Sequence, residues 1–173
     1  YARMQVQVTP DGSLDDVRPA GNPIRIRNLL THTAGLGYTI IQKGPIRKAY
    51  DDAGLSAGQV SRMQLPGLSP GPPAPSLAVF ADRLAEMPLI YEPGTKWSYS
   101  VGLDLLGRVI EVVSGMAFDE FLRQRIFEPA GMSSTWFQVP RREAKRLTTN
   151  YGALGPNLFP IDKGEDSIFL ENP

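Results

Sequence analysis

Alternating apolar and polar residues near the start of the chain predict a short β-hairpin. Met4, Val6 and Val8 alternate with glutamines, which is the two-residue period of a strand with one buried face. The segment Thr-Pro-Asp-Gly at 9–12 has the composition of a tight turn. We therefore expect a small hairpin within residues 4–18.

Apolar residues spaced three and four apart predict short helices along much of the remaining chain. The predicted segments are 26–33, 45–52, 77–86, 101–113, 117–127 and 141–147. Ser76 is placed to cap the helix at 77–86 through its hydroxyl. The segment 148–173 has no such period, and we expect irregular chain there.

The helix at 101–113 has the clearest pattern. Its predicted apolar stripe consists of Leu105, Leu106, Val109, Ile110 and Val113. Gly115 fits the position where a left-handed backbone ends many helices. Ser98 and Ser100 precede the helix, and either hydroxyl is suited to cap its N-terminus.

Length and composition suit one mainly α-helical domain with long loops and one small hairpin, spanning residues 1–173. The chain has 173 residues and 19.0 kDa, enough for a hydrophobic core. Seven of the ten residues at 66–75 are Pro or Gly, which predicts a loop with polyproline character.

Charge and residue usage exclude several classes of partner and site. Eighteen basic residues balance eighteen acidic ones, so we expect no nucleic-acid surface. There is no Cys and only one His, so neither a metal site nor another cofactor is expected. No stretch approaches the ~18 apolar residues that suggest a membrane span. The first residues do not resemble a signal peptide, which favours the cytoplasm over the periplasm.

Tyr99 is the main candidate for catalytic chemistry. It follows a Pro93-Gly94 turn and lies just ahead of the helix at 101–113. The positive end of a helix dipole favours phenolate over phenol, and a phenolate can accept a proton as a general base. The alternative is a rim aromatic whose hydroxyl bonds to the backbone.

His32 is the only imidazole in the chain. A Ser-His-Asp catalytic site built on this sequence would have to use it. The simpler interpretation places His32 at the end of the short helix at 26–33, where its side chain bonds free carbonyl groups. Ser100 has no neighbouring Lys or His in the sequence that would activate it as a nucleophile.

Three ordered blocks resemble the serine beta-lactamase and penicillin-binding-protein superfamily. They are Ile24–Leu36 (IRIRNLLTHTAGL), the stretch from Glu92-Pro93-Gly94 through Glu111, and Phe127–Phe137 (FEPAGMSSTWF). Each block alone is moderately specific, but together they extend over most of the chain. The resemblance implies a two-lobed fold, of which this chain resembles the helical lobe.

The resemblance also implies a mechanism. The superfamily uses a Ser nucleophile and a Lys in an S-x-x-K motif, together with a K-T-G-like strand. Neither motif occurs in this sequence. Tyr99 falls on the Tyr of the Y-x-N motif, which helps to activate the Ser. We therefore expect a fragment that carries the Tyr but not the nucleophile, and that is inactive alone.

Val101 occupies the third position of that motif, where lactamases of the superfamily usually have Asn. Val offers no amide to a bound substrate. The stretch YSVGLDLLG is more similar to the esterase branch, the family VIII carboxylesterases. Val101 and Tyr38, which follows the Gly35-Leu36-Gly37 turn, are the predicted substrate-binding residues.

Ester hydrolysis through an acyl-enzyme is thus the favoured activity, with a small ester or lactam as substrate. Beta-lactamase or D-Ala-D-Ala peptidase activity and a non-catalytic binding module remain alternatives. A helical lobe without its sheet lobe would expose an apolar face, so we also expect the isolated chain to self-associate.

Overall fold

Short helices joined by long connections dominate the computed structural model, which describes residues 1–56 and 72–171. The described residues divide into two units, one formed by 1–56 and 72–115 and the other by 116–171. The prediction of a Pro- and Gly-rich loop at 66–75 falls largely outside the described residues; positions 72–75 are irregular.

The predicted N-terminal hairpin is confirmed. Strand β1 (Gln5–Gln7) pairs antiparallel with β2 (Val17–Pro19), and Val6 lies opposite Arg18. The turn at 9–12 is closed by a bond from the Gly12 N–H to the Thr9 carbonyl, 3.0 Å long. Leu89 lies along the other side of β1 and pairs with Val6 in a parallel bridge.

Four helices of the first unit match the predicted segments. They are α1 (Ile26–Leu30), α2 (Gly44–Asp52), α3 (Leu77–Ala85) and α4 (Gly102–Ser114). The Ser76 hydroxyl caps α3 by accepting from the Val79 N–H at 3.2 Å. Gly115 ends α4 in a left-handed conformation, with φ of 69°.

The core of the first unit joins these helices to β1. Buried side chains come from every one of these elements except β2, and include Val6, Leu29, Ile46, Leu84 and Leu105. The stripe predicted for α4 is buried mainly near its N-terminal half. Val113, predicted to belong to that stripe, is 78% exposed, so this part of the prediction is wrong. Val109, one turn earlier on the same face of α4, still packs against the core, so the core ends before the last turn of the helix.

The second unit begins with α5 (Phe118–Leu122), which continues into a π-helical segment at Arg123–Phe127. The predicted helix at 117–127 is therefore present, with a wider final turn. A 3₁₀ helix at Arg141–Arg146 matches the predicted charged turn. A small core forms around Val139, Ala144 and Leu170.

Irregular chain was predicted for 148–173, and this prediction is wrong. Strands β3 (Asn150–Leu154) and β4 (Asn157–Asp162) form an antiparallel hairpin, followed by 3₁₀ turns at Gly164–Asp166 and Ile168–Leu170. Tyr151, Leu154 and Leu158 are exposed, so the hairpin lacks a clear alternation of buried and exposed positions. Backbone pairing forms it, and the apolar pattern does not reveal that pairing.

Candidate active site

Two of the segments that resemble the superfamily lie side by side in the first unit. Backbone N–H groups along 90–101 donate to carbonyl groups along 32–37. The four bonds are Ile90 to Gly35 (2.7 Å), Gly94 to Thr33 (2.8 Å), Ser98 to His32 (3.0 Å) and Val101 to Gly37 (3.2 Å). Because the 32–37 segment is anchored in the core by Ala34 and Leu36, this pairing fixes the backbone on both sides of Tyr99.

Tyr99 lies three positions before the first residue of α4, at the surface of the first unit. Its side chain is 46% exposed, so the ring is not sealed inside the protein. The ring of Tyr38 lies 5.4 Å from that of Tyr99 between centroids, and the ring of His32 lies 4.6 Å away. The structure thus brings together two of the predicted site residues, Tyr99 and Tyr38.

His32 has a different environment from the one expected. Its Nδ1 is 3.2 Å from the backbone N–H nitrogen of Ser100, so the side chain accepts a bond from the segment that carries Tyr99. The expectation that it bonds carbonyl groups at the end of α1 is wrong. The reason is the backbone of His32, whose φ of 52° turns the chain out of the helix. The Trp97 ring lies edge-on to the imidazole, 6.4 Å away.

Ser100 does not cap α4, and neither does Ser98. The N-cap residue is Val101, and no side chain bonds the first turn. The Ser100 hydroxyl instead lies 3.2 Å from Nδ1 of His32. A histidine therefore does adjoin Ser100 in space, although none does in sequence. The Ser100 side chain is only 5% exposed, and its own N–H already uses the Nδ1 acceptor, so the pair is not suited to nucleophilic attack.

His32, Tyr38 and Tyr99 form an aromatic cluster, and Asp104 in the first turn of α4 adds a carboxyl group to it. Burial raises the pKa of Asp104, and its own backbone N–H and the nearby His32 partly oppose that rise. Burial is also the main cause of a raised pKa at Tyr38, with smaller contributions from Tyr99 and Asp104. Tyr38 is consequently a neutral phenol at neutral pH, able to donate a hydrogen bond.

Val101, the other predicted substrate-binding residue, lies in the core. Its side chain is 1% exposed and packs among the buried residues of the first unit, so it presents almost no surface to a ligand. The substrate contact assigned to Val101 is not supported by this position. An apolar side chain suits this buried position, because its packing in the core anchors the start of α4.

Sequence reasoning did not include His32, Trp97 or Asp104 in the site. One signal was available for His32, since it is the only imidazole and lies inside one of the three resembling blocks. Within the described residues, no group of three or more acidic or His side chains is arranged to hold a metal ion. No helix there is both long and apolar enough to span a membrane.

The Beta-lactamase family profile matches residues 7–167, and the chain belongs to this family. An uncharacterized protein of Mycobacterium tuberculosis is 34% identical over 140 residues, which cover 81% of this chain and 30% of that protein. Lovastatin esterase of Penicillium rubens is 31% identical over 151 residues, which cover 84% of this chain and 33% of that protein. The predicted superfamily is therefore confirmed.

Among solved structures, the chain is similar to EstCE1, described as a hydrolase with promiscuous acyltransferase activity. The TM-score is 0.65 at 29% identity, over 90% of this chain and 36% of that one. The mainly helical fold class is confirmed. The chain spans about a third of the length of the curated relatives it matches.

Proposed function

We propose that this chain provides the general base, Tyr99, of a serine hydrolase that cleaves carboxylic esters through an acyl-enzyme. The nucleophilic Ser and its Lys would come from residues outside this sequence, which contains no S-x-x-K motif. One observation carries the proposal: the Tyr99 ring is exposed, while hydrogen bonds from Ser98 and Ser100 to His32 hold the backbone on either side of it. A general base needs both access and a fixed position.

In the proposed reaction, the Tyr99 oxygen takes the proton of the Ser hydroxyl as the Ser oxygen attacks the ester carbonyl. The ester C–O bond then breaks, the alcohol leaves with that proton, and the acyl group remains on the Ser. In the second half-reaction water gives a proton to Tyr99 as its oxygen attacks the acyl carbon. The bond between the Ser oxygen and the acyl carbon then breaks, the Ser oxygen takes that proton back from Tyr99, and the acid leaves.

Tyr38 is the second residue that we assign to substrate binding. Its ring meets that of Tyr99 nearly edge-on, at an interplanar angle of 62°, so it forms a wall beside the proposed base. Its neutral hydroxyl is a hydrogen-bond donor that suits an ester oxygen better than a cationic group. Similarity to an esterase and to a hydrolase with acyltransferase activity supports an ester substrate.

The first test uses the 173-residue chain itself, assayed with p-nitrophenyl butyrate. We expect no hydrolysis above background. Hydrolysis that persists in Tyr99→Phe would reject the assignment, because the activity would then need neither the missing nucleophile nor the base.

The second test uses the protein that the complete gene encodes. Tyr99→Phe should lower kcat by about 10²- to 10⁴-fold, the usual contribution of a general base, with a smaller change in KM. Tyr151→Phe, in the exposed β3–β4 hairpin, is the matched control and should have wild-type kinetics. Mass spectrometry should detect a butyryl adduct on the protein. Faster turnover of nitrocefin than of the ester would favour the lactamase alternative.

A further inference from the structure

We propose that His32 is a positioning residue that holds Tyr99 in place, an inference that rests on the proposed role of Tyr99. His32 contacts the Tyr99 segment at three points. Its carbonyl oxygen accepts from the Ser98 N–H at 3.0 Å, and its Nδ1 accepts from the Ser100 N–H at 3.2 Å. Its imidazole ring packs against the Tyr99 ring, 4.6 Å between centroids and tilted by 41°.

These three contacts restrain different parts of Tyr99. The two hydrogen bonds involve the residues immediately before and after it, so they fix where its α-carbon lies. The ring contact limits which way the phenol turns. Aromatic rings in contact prefer particular relative orientations, so the His32 ring favours one orientation of the Tyr99 ring.

The contacts also assign the tautomer of His32. Nδ1 accepts from a backbone N–H, so it carries no proton, and the neutral ring has its proton on Nε2. The Ser100 hydroxyl oxygen also lies 3.2 Å from Nδ1, whose lone pair is already used by the Ser100 N–H. A ring with a proton on Nδ1 would point that N–H at the Ser100 N–H, and the hydrogen bond from the Ser100 N–H would be lost.

The backbone of His32 is a separate indication of a specific role. Its φ of 52° lies in the left-handed region, where a residue with a side chain is uncommon. Such a conformation is strained and persists only where surrounding contacts impose it. Glycine would adopt it more easily, but glycine has neither an acceptor for Ser100 nor a ring for Tyr99.

Two substitutions at His32 separate its hydrogen bond to Ser100 from its ring contact with Tyr99. His32→Asn tolerates the left-handed backbone, and its Oδ1 is able to replace Nδ1 as the acceptor, but it has no ring against Tyr99. His32→Gly relieves the backbone and removes both side-chain contacts. Asp11→Gly is the matched control, because Asp11 also has a left-handed backbone, with φ of 59°, and lies in the β1–β2 turn.

The first experiment is NMR on the 173-residue chain labelled with ¹⁵N. As the only imidazole, His32 gives an unambiguous pair of ring nitrogen signals. We expect Nδ1 to appear as the unprotonated nitrogen and Nε2 as the protonated one in the neutral ring. A protonated Nδ1 in the folded chain would overturn the proposal.

Hydrogen exchange and ring signals then test the restraint on Tyr99. The Ser100 amide should exchange roughly 2- to 10-fold faster in His32→Gly, the range expected for loss of one hydrogen bond, and near the wild-type rate in His32→Asn and Asp11→Gly. The Tyr99 ring resonances should shift in both His32 variants and not in Asp11→Gly. Unchanged Ser100 exchange in a folded His32→Gly variant, or unchanged Tyr99 resonances, would overturn the proposal.

Kinetics of the protein from the complete gene separate this inference from the proposed function. His32→Gly should lower kcat with little change in KM, and His32→Asn should restore part of the loss. If Tyr99→Phe abolishes activity but His32→Gly has wild-type kcat, the positioning role is rejected and the general base stands. If the NMR results are as expected but Tyr99→Phe remains fully active, His32 still holds the Tyr99 segment. The proposed function and the catalytic positioning role of His32 are then both rejected.

Discussion

The backbone carbonyl oxygen of Tyr91 faces Gly35 so closely that a β-carbon on Gly35 would lie 2.0 Å from it. Gly35 also has a left-handed φ of 82°. Its carbonyl accepts from the Ile90 N–H, in the same run of bonds that holds the Tyr99 segment. The approach of these two residues therefore sets how near the 90–101 segment lies to the 32–37 segment.

Gly35→Ala should destabilise the protein by about 2–5 kcal/mol, because the left-handed backbone and the steric overlap both oppose a methyl group. Gly115→Ala is the matched control. Its φ is 69°, and no atom lies within 4 Å of an added β-carbon, so it should cost only about 1–2 kcal/mol. Urea unfolding followed by circular dichroism measures both, and equal losses would contradict the role of the close approach.

Tyr50 predicts a loss of stability at alkaline pH. Its buried hydroxyl accepts from the Gly37 N–H at 3.0 Å, and burial raises the pKa of Tyr50 to about 12. The unfolded value is about 10. Because the folded pKa is the higher one, the stabilisation is complete below pH 10 and is lost as the pH rises towards 12. The loss amounts to about 2–3 kcal/mol. Burial also raises the pKa of Tyr1, which extends the loss to higher pH.

Tyr50→Phe tests this assignment through urea unfolding at pH 8, 10 and 12. At pH 8 the variant should be about 1–3 kcal/mol less stable, because the Gly37 N–H loses its partner. Between pH 10 and 12 it should lose less stability than the wild type does. The exposed Tyr151 serves as a control, and Tyr151→Phe should follow the wild-type curve. An alkaline loss of equal size in Tyr50→Phe would show that other groups cause it.

The N-cap of α3 gives a prediction about local stability. The Ser76 hydroxyl accepts from the Val79 N–H, so Ser76→Ala should cost about 1 kcal/mol. Lys43 occupies the same position before α2, where no side chain caps the helix. Lys43→Ala should therefore change stability by less than about 0.5 kcal/mol. Thermal unfolding of the two variants measures the change in Tm of each. Similar changes in Tm would mean that the hydrogen bond to the Ser76 hydroxyl contributes little to stability.

Exposed apolar residues on α4 predict self-association of the chain. Val112 is 66% exposed and Val113 is 78% exposed at its C-terminal end. Exposed apolar surface favours contact between molecules. We expect a rise in mass with concentration in sedimentation experiments, and a smaller rise in the double variant Val112→Glu, Val113→Lys. The exposed Val8 of the N-terminal hairpin provides a control in Val8→Lys. A concentration-independent monomer with a cooperative, high-temperature melt would contradict the prediction.

Local patterns in the sequence were sufficient for most helices and for one hairpin. Ser76, the apolar spacing of α3 and Gly115 after α4 are short-range features, and each acts on its own turn of helix. The β3–β4 hairpin was missed because its apolar side chains are largely exposed and show no period of two. The cap assigned to Ser98 or Ser100 was wrong because the Ser100 hydroxyl lies against His32, a partner 68 positions away.

The sequence alone was enough to determine the superfamily, the helical class and Tyr99 as the candidate base, because these depend on ordered motifs and on residues close together along the chain. Only the tertiary structure decided that His32 lies against Tyr99, that Val101 is buried and that Asp104 and Tyr38 face the same cluster. Those contacts join segments that are distant along the chain. They exist because backbone hydrogen bonds and a shared core hold the 32–37 and 90–101 segments together, and apolar periodicity carries no information about such pairing.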